Sequence, residues 1–168
     1  MSTRTSEIDP RGPRFSAAVT AVLVLIGVGL ALVGGTPATI AGRIGQPAFL
    51  LFVVLAALFA WGAFAGVARH PWGLVFKRVI RPRLAPPAEL ENAAAPTFAQ
   101  GVGLFVVTVG LVLHLAGVPF ALVVAGSAAF VAAFLNSVFD YCLGCQLYLL
   151  LVRSGVLRPK ASAASSPA

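Results

Sequence analysis

Four long apolar stretches, parted by short polar or turn-forming segments, set the pattern of the chain. Residues 15–34, 48–67, 98–116 and 120–139 each approach the ~20 apolar residues that a helix needs to cross a hydrocarbon core. Gly34-Gly35-Thr36-Pro37 breaks the first stretch, and residues 36–46 form a short loop whose one charge is Arg43. Pro47 suits the first turn of the second helix, since its ring already holds a helical φ. Gly117-Val118-Pro119 turns the chain so quickly that the third and fourth spans form an antiparallel hairpin. The first stretch is too long for the apolar core of a signal peptide and has no Ala-x-Ala after it, so it reads as a retained helix. The pattern predicts an all-α, polytopic membrane protein with four transmembrane helices.

One region breaks the simple pattern. From Phe120 to Val152 the chain is apolar almost throughout, and Asn136, Ser137, Asp140 and Gln146 are the polar side chains clustered in its second half. A single straight helix of that length would be roughly 50 Å long, against an apolar core of about 30 Å. The chain is therefore expected to kink, re-enter or lay a short extra helix along the interface near residues 140–144. The alternative, a span sliding to residues 130–152, would leave Asp140 at mid-depth at a cost of several kcal/mol.

Charge sharpens the topology. Of the 12 Lys and Arg residues, 11 fall in the N-terminal segment, the central loop and the C-terminal tail. The positive-inside rule then puts both termini and the central loop in the cytoplasm, in agreement with an even number of spans in the cell membrane. The formal charge of +7 does not indicate nucleic-acid binding, because these cations sit in short segments between apolar runs. The domain plan is a cytoplasmic segment over residues 1–14, a four-helix membrane domain over 15–153, and a disordered cytoplasmic tail over 154–168. In the central loop, Arg69, His70, Lys77, Arg78, Arg81 and Arg83 alternate with Trp72 and Phe76, which suits an interfacial anchor. Residues 75–80 are expected to form an amphipathic turn on the headgroups, followed by a proline-bounded, solvated loop with Glu89 and Glu91.

Candidate chemistry concentrates in Cys142-Leu143-Gly144-Cys145, which holds both cysteines of the chain. Residues i and i+3 share one helix face with Cβ atoms about 5–6 Å apart, so modest adjustment permits a disulfide. If a helix begins near Tyr141, Asp140 caps it and Cys142 falls in its first turn, where the helix dipole favours the thiolate. Gly144 would ease the approach of a partner's sulfur. The sharp reading is thiol–disulfide or sulfur chemistry at the cytoplasmic face, with Cys142 attacking, Cys145 resolving and Asp140 tuning protonation. Zinc is the second reading, with Cys142, Cys145 and His70 as ligands, or four thiolates from a homo-oligomer. The third is two small residues packed between helices in a non-catalytic structural or partner-binding subunit. A small-solute transporter would require an oligomer, and no internal repeat points to one. His70 otherwise reads as an interfacial residue, His114 as a hydrogen-bonded helix contact, and Asn136 and Ser137 as polar glue. No Ser/His/Asp arrangement, paired carboxylates or Rossmann glycines stand in the sequence, and no cofactor is specified.

Several motifs together carry a resemblance. They are Ile8-Asp9-Pro10-Arg11-Gly12-Pro13-Arg14-Phe15, His70-Pro71-Trp72-Gly73, Arg81-Pro82-Arg83-Leu84-Ala85-Pro86-Pro87, Phe98-Ala99-Gln100-Gly101-Val102-Gly103 and Cys142 to Tyr148. With these, the chain resembles the small actinobacterial integral membrane proteins of domain of unknown function family 4395, over roughly residues 7–153. Thr97 stands where the family commonly has an arginine. The resemblance implies the membrane architecture. Through the thioredoxin-like proteins and sulfurtransferases encoded near family members, it also implies thiol or sulfur chemistry with such a partner.

Overall fold

The computed structural model describes residues 7–87 and 89–157. Four helices are long and apolar enough to span a membrane: α1 (Arg11–Gly34), α3 (Pro47–Ala65), α5 (Ala94–Leu115) and α6 (Ala121–Phe139). Short helices α2 (Ile40–Ile44), α4 (Pro71–Val75) and α7 (Leu143–Arg153) complete the α-helical set among the described residues, with 3-10 turns over Val67–Arg69 and Arg81–Arg83 and a wider π-helical turn over Phe76–Ile80. The chain is thus a predominantly helical, multi-pass membrane protein with a short extra helix at its cysteine pair. α1 begins at Arg11, before the apolar run that marks it in sequence.

The spanning helices pack in the ring order α1, α3, α5, α6, each against two neighbours. Small residues make this approach possible. The Phe52 ring, fully buried, sits where side chains at Gly27 of α1 and Gly126 of α6 would project. Phe59 fills the same kind of space beside Gly103. Positions Gly29 and Gly101, each two residues away in sequence, are open, with nothing within 4 Å of an added Cβ. Around Phe52, the side chains of Val24, Leu55, Val107 and Leu122 form the dry core. Outward faces carry Phe64, Phe105 and Val124, which are exposed in the isolated chain and meet lipid in the bilayer.

The sequence leads one to expect a solvated loop before α5. Instead, β1 (Glu7–Ile8) and β2 (Glu91–Asn92) pair antiparallel, with Ile8 opposite Glu91, and fold over one end of the bundle. Arg11 ties this cap down, donating 3.0 and 2.8 Å hydrogen bonds to Asp9 and a 3.0 Å bond to the Ala85 carbonyl. Phe76, expected among the headgroups, is 4% exposed. It packs on Phe15 with ring centroids 6.0 Å apart and against Gly12, because α4 and the π-helical turn after it lie against α1. The C-terminal tail expectation falls mostly on residues 158–168, outside the described residues.

Candidate functional site

The break expected near residue 140 is present, and its geometry assigns the local roles. Asp140 ends α6 in the left-handed region, with φ 58°. Its N–H and that of Tyr141 both turn back to the Leu135 carbonyl. Glycine usually makes this reversal, but aspartate tolerates it better than most residues. The continuous span over residues 130–152 is therefore excluded. Cys142 is extended (φ −87°, ψ 101°) and is itself the N-cap of α7, its Sγ accepting the Cys145 N–H at 3.2 Å. Each role lies further along the chain than the sequence reading put it. Asp140 closes the preceding helix, Cys142 caps the next, and Cys145 occupies its first turn.

Cys142 and Cys145 form a disulfide with Cα atoms 5.1 Å apart, inside the usual range. Cys145 is buried at 9% exposure, whereas Cys142 is half-buried. α7 is held by α5: Tyr148 packs on Phe98 at 5.6 Å between ring centroids. A Cβ at Gly144 would lie 2.7 Å from the Ala99 Cα. Gly144 thus serves helix contact, and that side of the pair is closed to an approaching sulfur.

Both cysteines line a cavity of about 360 Å³ at the capped end of the bundle. Arg14, Lys77, Arg81 and Asp140 contribute charge to it, and β1–β2 adds Ile8 and Glu91. Its neutral and apolar lining includes Ser16, Ala17, Ala99, Gln100 and Asn136. Asp140 is largely exposed and faces Arg14 at 3.4 Å. Asp9 lies 4.0 Å from Arg81, and the hydrogen bond from Arg11 holds its carboxyl below the usual carboxylate range. Glu91 moves the other way, raised first by burial and then by the negative charge of Asp140.

His70 lines the same cavity, but at 4% exposure it is not the interfacial residue expected from sequence. Pro71 starts α4 directly after it and turns the chain under the bundle, carrying the imidazole inside. Its Nδ1 is buried without a hydrogen-bond partner among the described residues. Burial lowers its pKa, opposed by the Leu58 carbonyl. No three His, Cys, Asp or Glu side chains among the described residues converge as a metal site, so the geometry does not carry a zinc site of Cys142, Cys145 and His70. Thr97 accepts the Val67 N–H at 3.4 Å, tying the end of the α3 segment to α5. His114, at the opposite end, stacks on Phe49 at 5.9 Å and takes no part.

The sequence pattern assigns Asp9, Arg14 and Glu91 no part in the site, although all three line the cavity. An aspartate ahead of Pro10 and Arg11 at a helix start was a legible capping signal, and Asp9 does accept the Arg11 N–H at 3.0 Å. Glu91 gave no signal, because a pairing of two-residue strands across the first two spans leaves none. No curated protein and no solved structure matches the chain. The sequence profile described as "Domain of unknown function (DUF4395)" matches residues 8–153, nearly the whole chain, and the protein belongs to that family.

Proposed function

We propose that this protein is a membrane thiol–disulfide exchange component working through Cys142 and Cys145. The observation that carries the reading is the position of Cys142 Sγ as the N-cap acceptor of α7. In the reduced protein that position favours a thiolate, because the helix N-terminus and the Cys145 N–H both stabilise negative charge there. A bridge between residues three apart closes a minimal loop and removes little entropy from the unfolded chain, so it is a poor structural staple.

In the exchange, the Cys142 thiolate attacks a disulfide of a partner and displaces one partner thiolate, giving a mixed disulfide. Cys145, deprotonated, then attacks Cys142 Sγ and expels the second partner sulfur as thiolate. The protein dithiol becomes a disulfide, the partner disulfide becomes a dithiol, and the reverse sequence reduces this protein. Asp140 is assigned the tuning of protonation through its charge at the cavity, and Glu91, a carboxyl of raised pKa in the same cavity, is better suited to hold a proton. A thioredoxin-like or sulfurtransferase protein is the partner class. The basic end of the bundle, and with it the pair, is assigned to the cytoplasmic side by the positive-inside rule. In that reducing compartment, a disulfide is expected to turn over.

The test is trapping. Cys145→Ser should accumulate a mixed disulfide through Cys142, visible as a reductant-sensitive band, whereas Cys142→Ser should trap little and both should lose turnover. Equal trapping by the two variants, or by neither, would sink the assignment of attacking and resolving sulfurs.

A further inference from the structure

The exchange reading leaves open what restores the dithiol after it has reduced a partner. The chain has only two cysteines, so no second pair in it can pass electrons to the first. A second exchange partner must therefore reach Cys142 or Cys145, and the surroundings limit its size. Cys145 is 9% exposed, and Gly144 beside it lies against Ala99 of the neighbouring helix. Both cysteines also line the cavity under the β1–β2 cap. Its volume, about 360 Å³, stands at the small end of the ~300–1,000 Å³ range of small-molecule sites. Such a space admits a low-molecular-weight thiol and excludes a folded protein.

The lining is charged, and its charges define the ligand. Four of the ionisable groups are matched across the cavity, Asp9 with Arg81 at 4.0 Å and Arg14 with Asp140 at 3.4 Å. Glu7, Lys77 and Glu91 also line it, and none of them has an ion-pair partner among the described residues. Burial and the negative charge of Asp140 disfavour the ionised form of Glu91. One unmatched ammonium, on Lys77, and one unmatched carboxylate, on Glu7, are left. A complementary ligand carries one carboxylate and one ammonium, as an amino acid does. A purely anionic thiol would meet as many carboxylates as cations, and an uncharged one would gain nothing from Lys77 or Glu7.

We infer that the cavity admits an amino-acid-type thiol, its carboxylate toward Lys77 and its ammonium toward Glu7, which restores the Cys142–Cys145 dithiol. This inference rests on the thiol-exchange reading and names a second substrate of the same pair. The small thiolate attacks Cys142 Sγ, the more exposed of the two sulfurs, the S–S bond breaks, and Cys145 leaves as a thiolate that takes up a proton. A second small thiolate then attacks the sulfur of the first, forming the small disulfide and expelling Cys142. Expulsion is favoured because the departing Cys142 thiolate sits at the N-terminus of α7, where the Cys145 N–H is donated to it. Two small thiols lose two electrons in all, the protein disulfide gains them, and their two protons pass to the protein sulfurs.

The experiment uses the full chain, oxidised, in phosphatidylcholine nanodiscs under anaerobic conditions. L-Cysteine is compared with N-acetylcysteine, which lacks the ammonium, cysteamine, which lacks the carboxylate, and 2-mercaptoethanol, which lacks both. Alkylatable protein thiols are followed in time, and rates are expressed per thiolate, the form that attacks. Two L-cysteines consumed per pair are expected, with a rate that saturates for L-cysteine and stays linear for 2-mercaptoethanol. Lys77→Gln should raise the half-saturating L-cysteine concentration about threefold, the worth of one exposed ion pair, and leave the cysteamine rate unchanged. Glu7→Gln should weaken L-cysteine to a similar extent while sparing N-acetylcysteine. Lys77→Arg should keep the wild-type preference. Saturation that neither Lys77→Gln nor Glu7→Gln shifts overturns the site. Linear rates that agree per thiolate for all four thiols, with reduction by a protein dithiol intact, also overturn it and leave the exchange reading standing. A pair that no thiol reduces, small or protein, overturns both.

Discussion

The two ends of the bundle solve the same problem in opposite ways. At the end holding the loop between α1 and α3, the carbonyls released by helix termini are satisfied internally. Arg43 donates to Pro37 and Leu115 at 2.8 Å and to Ala38 at 3.0 Å, while Gln46 donates to Gly34 and Gly35 at 3.0 Å. The guanidinium packs against Gly117, whose φ of 87° makes the tight hairpin and whose missing side chain leaves it room. The other end keeps polar groups around a cavity under a two-stranded cap. One end spends its polar side chains on closure, and the other holds them beside a cysteine pair. Closure and the candidate chemistry are thereby placed at opposite ends of the bundle.

Substitutions at each end should break this comparison if it is wrong. Arg43→Ala strands three carbonyls at the closed end. It is expected to lower unfolding stability in detergent by roughly 3 kcal/mol or more, with little change in the exchange rate of the cysteines. Comparable loss of exchange would show that the ends are coupled. At the capped end, Cys142→Ala with Cys145→Ala should abolish exchange yet lower stability by no more than about 2 kcal/mol, since the bridge closes so short a loop.

The smallest effect is a matter of pH. The pKa of Glu91 is raised above its ordinary value of 4.5, so the closed cap favours its protonated form and loses stability as pH rises from that value through the raised one. Glu91→Gln should therefore slow amide exchange in β1–β2 at neutral pH and leave it unchanged below the ordinary value. Asp9 has the opposite sign. Its stabilisation is present above the ordinary carboxylate value of 3.8 and is lost as pH falls through its lowered folded value. An Asp9→Asn variant should show a cap weakened at neutral pH that loses no further stability as pH falls below 3.8.

What was legible in the sequence follows from the range of the forces involved. The four spans were read to within a few residues, because apolar run length against bilayer thickness is a strong local constraint. The break after Phe139 followed from the same arithmetic. The role of Asp140 did not, since a left-handed backbone at a non-glycine residue leaves no periodic trace. Phe76 and His70 were placed at the interface because they stand among cations. The structure buries both, since the chain folds back at Pro71 and the order of residues does not reveal that reversal. The cap was invisible for a related reason, as each of its strands is two residues long.

The contact between Gly144 and Ala99 limits how this motif could be re-engineered. In Cys-x-x-Cys sites the intervening dipeptide is the obvious handle for adjusting affinity for electrons. Here one of its two positions is pinned by a neighbouring helix, and only Leu143, 41% exposed, is open to substitution. A library at position 143 would therefore sample redox behaviour, whereas the same library at position 144 would sample little beyond the spacing of α7 from α5.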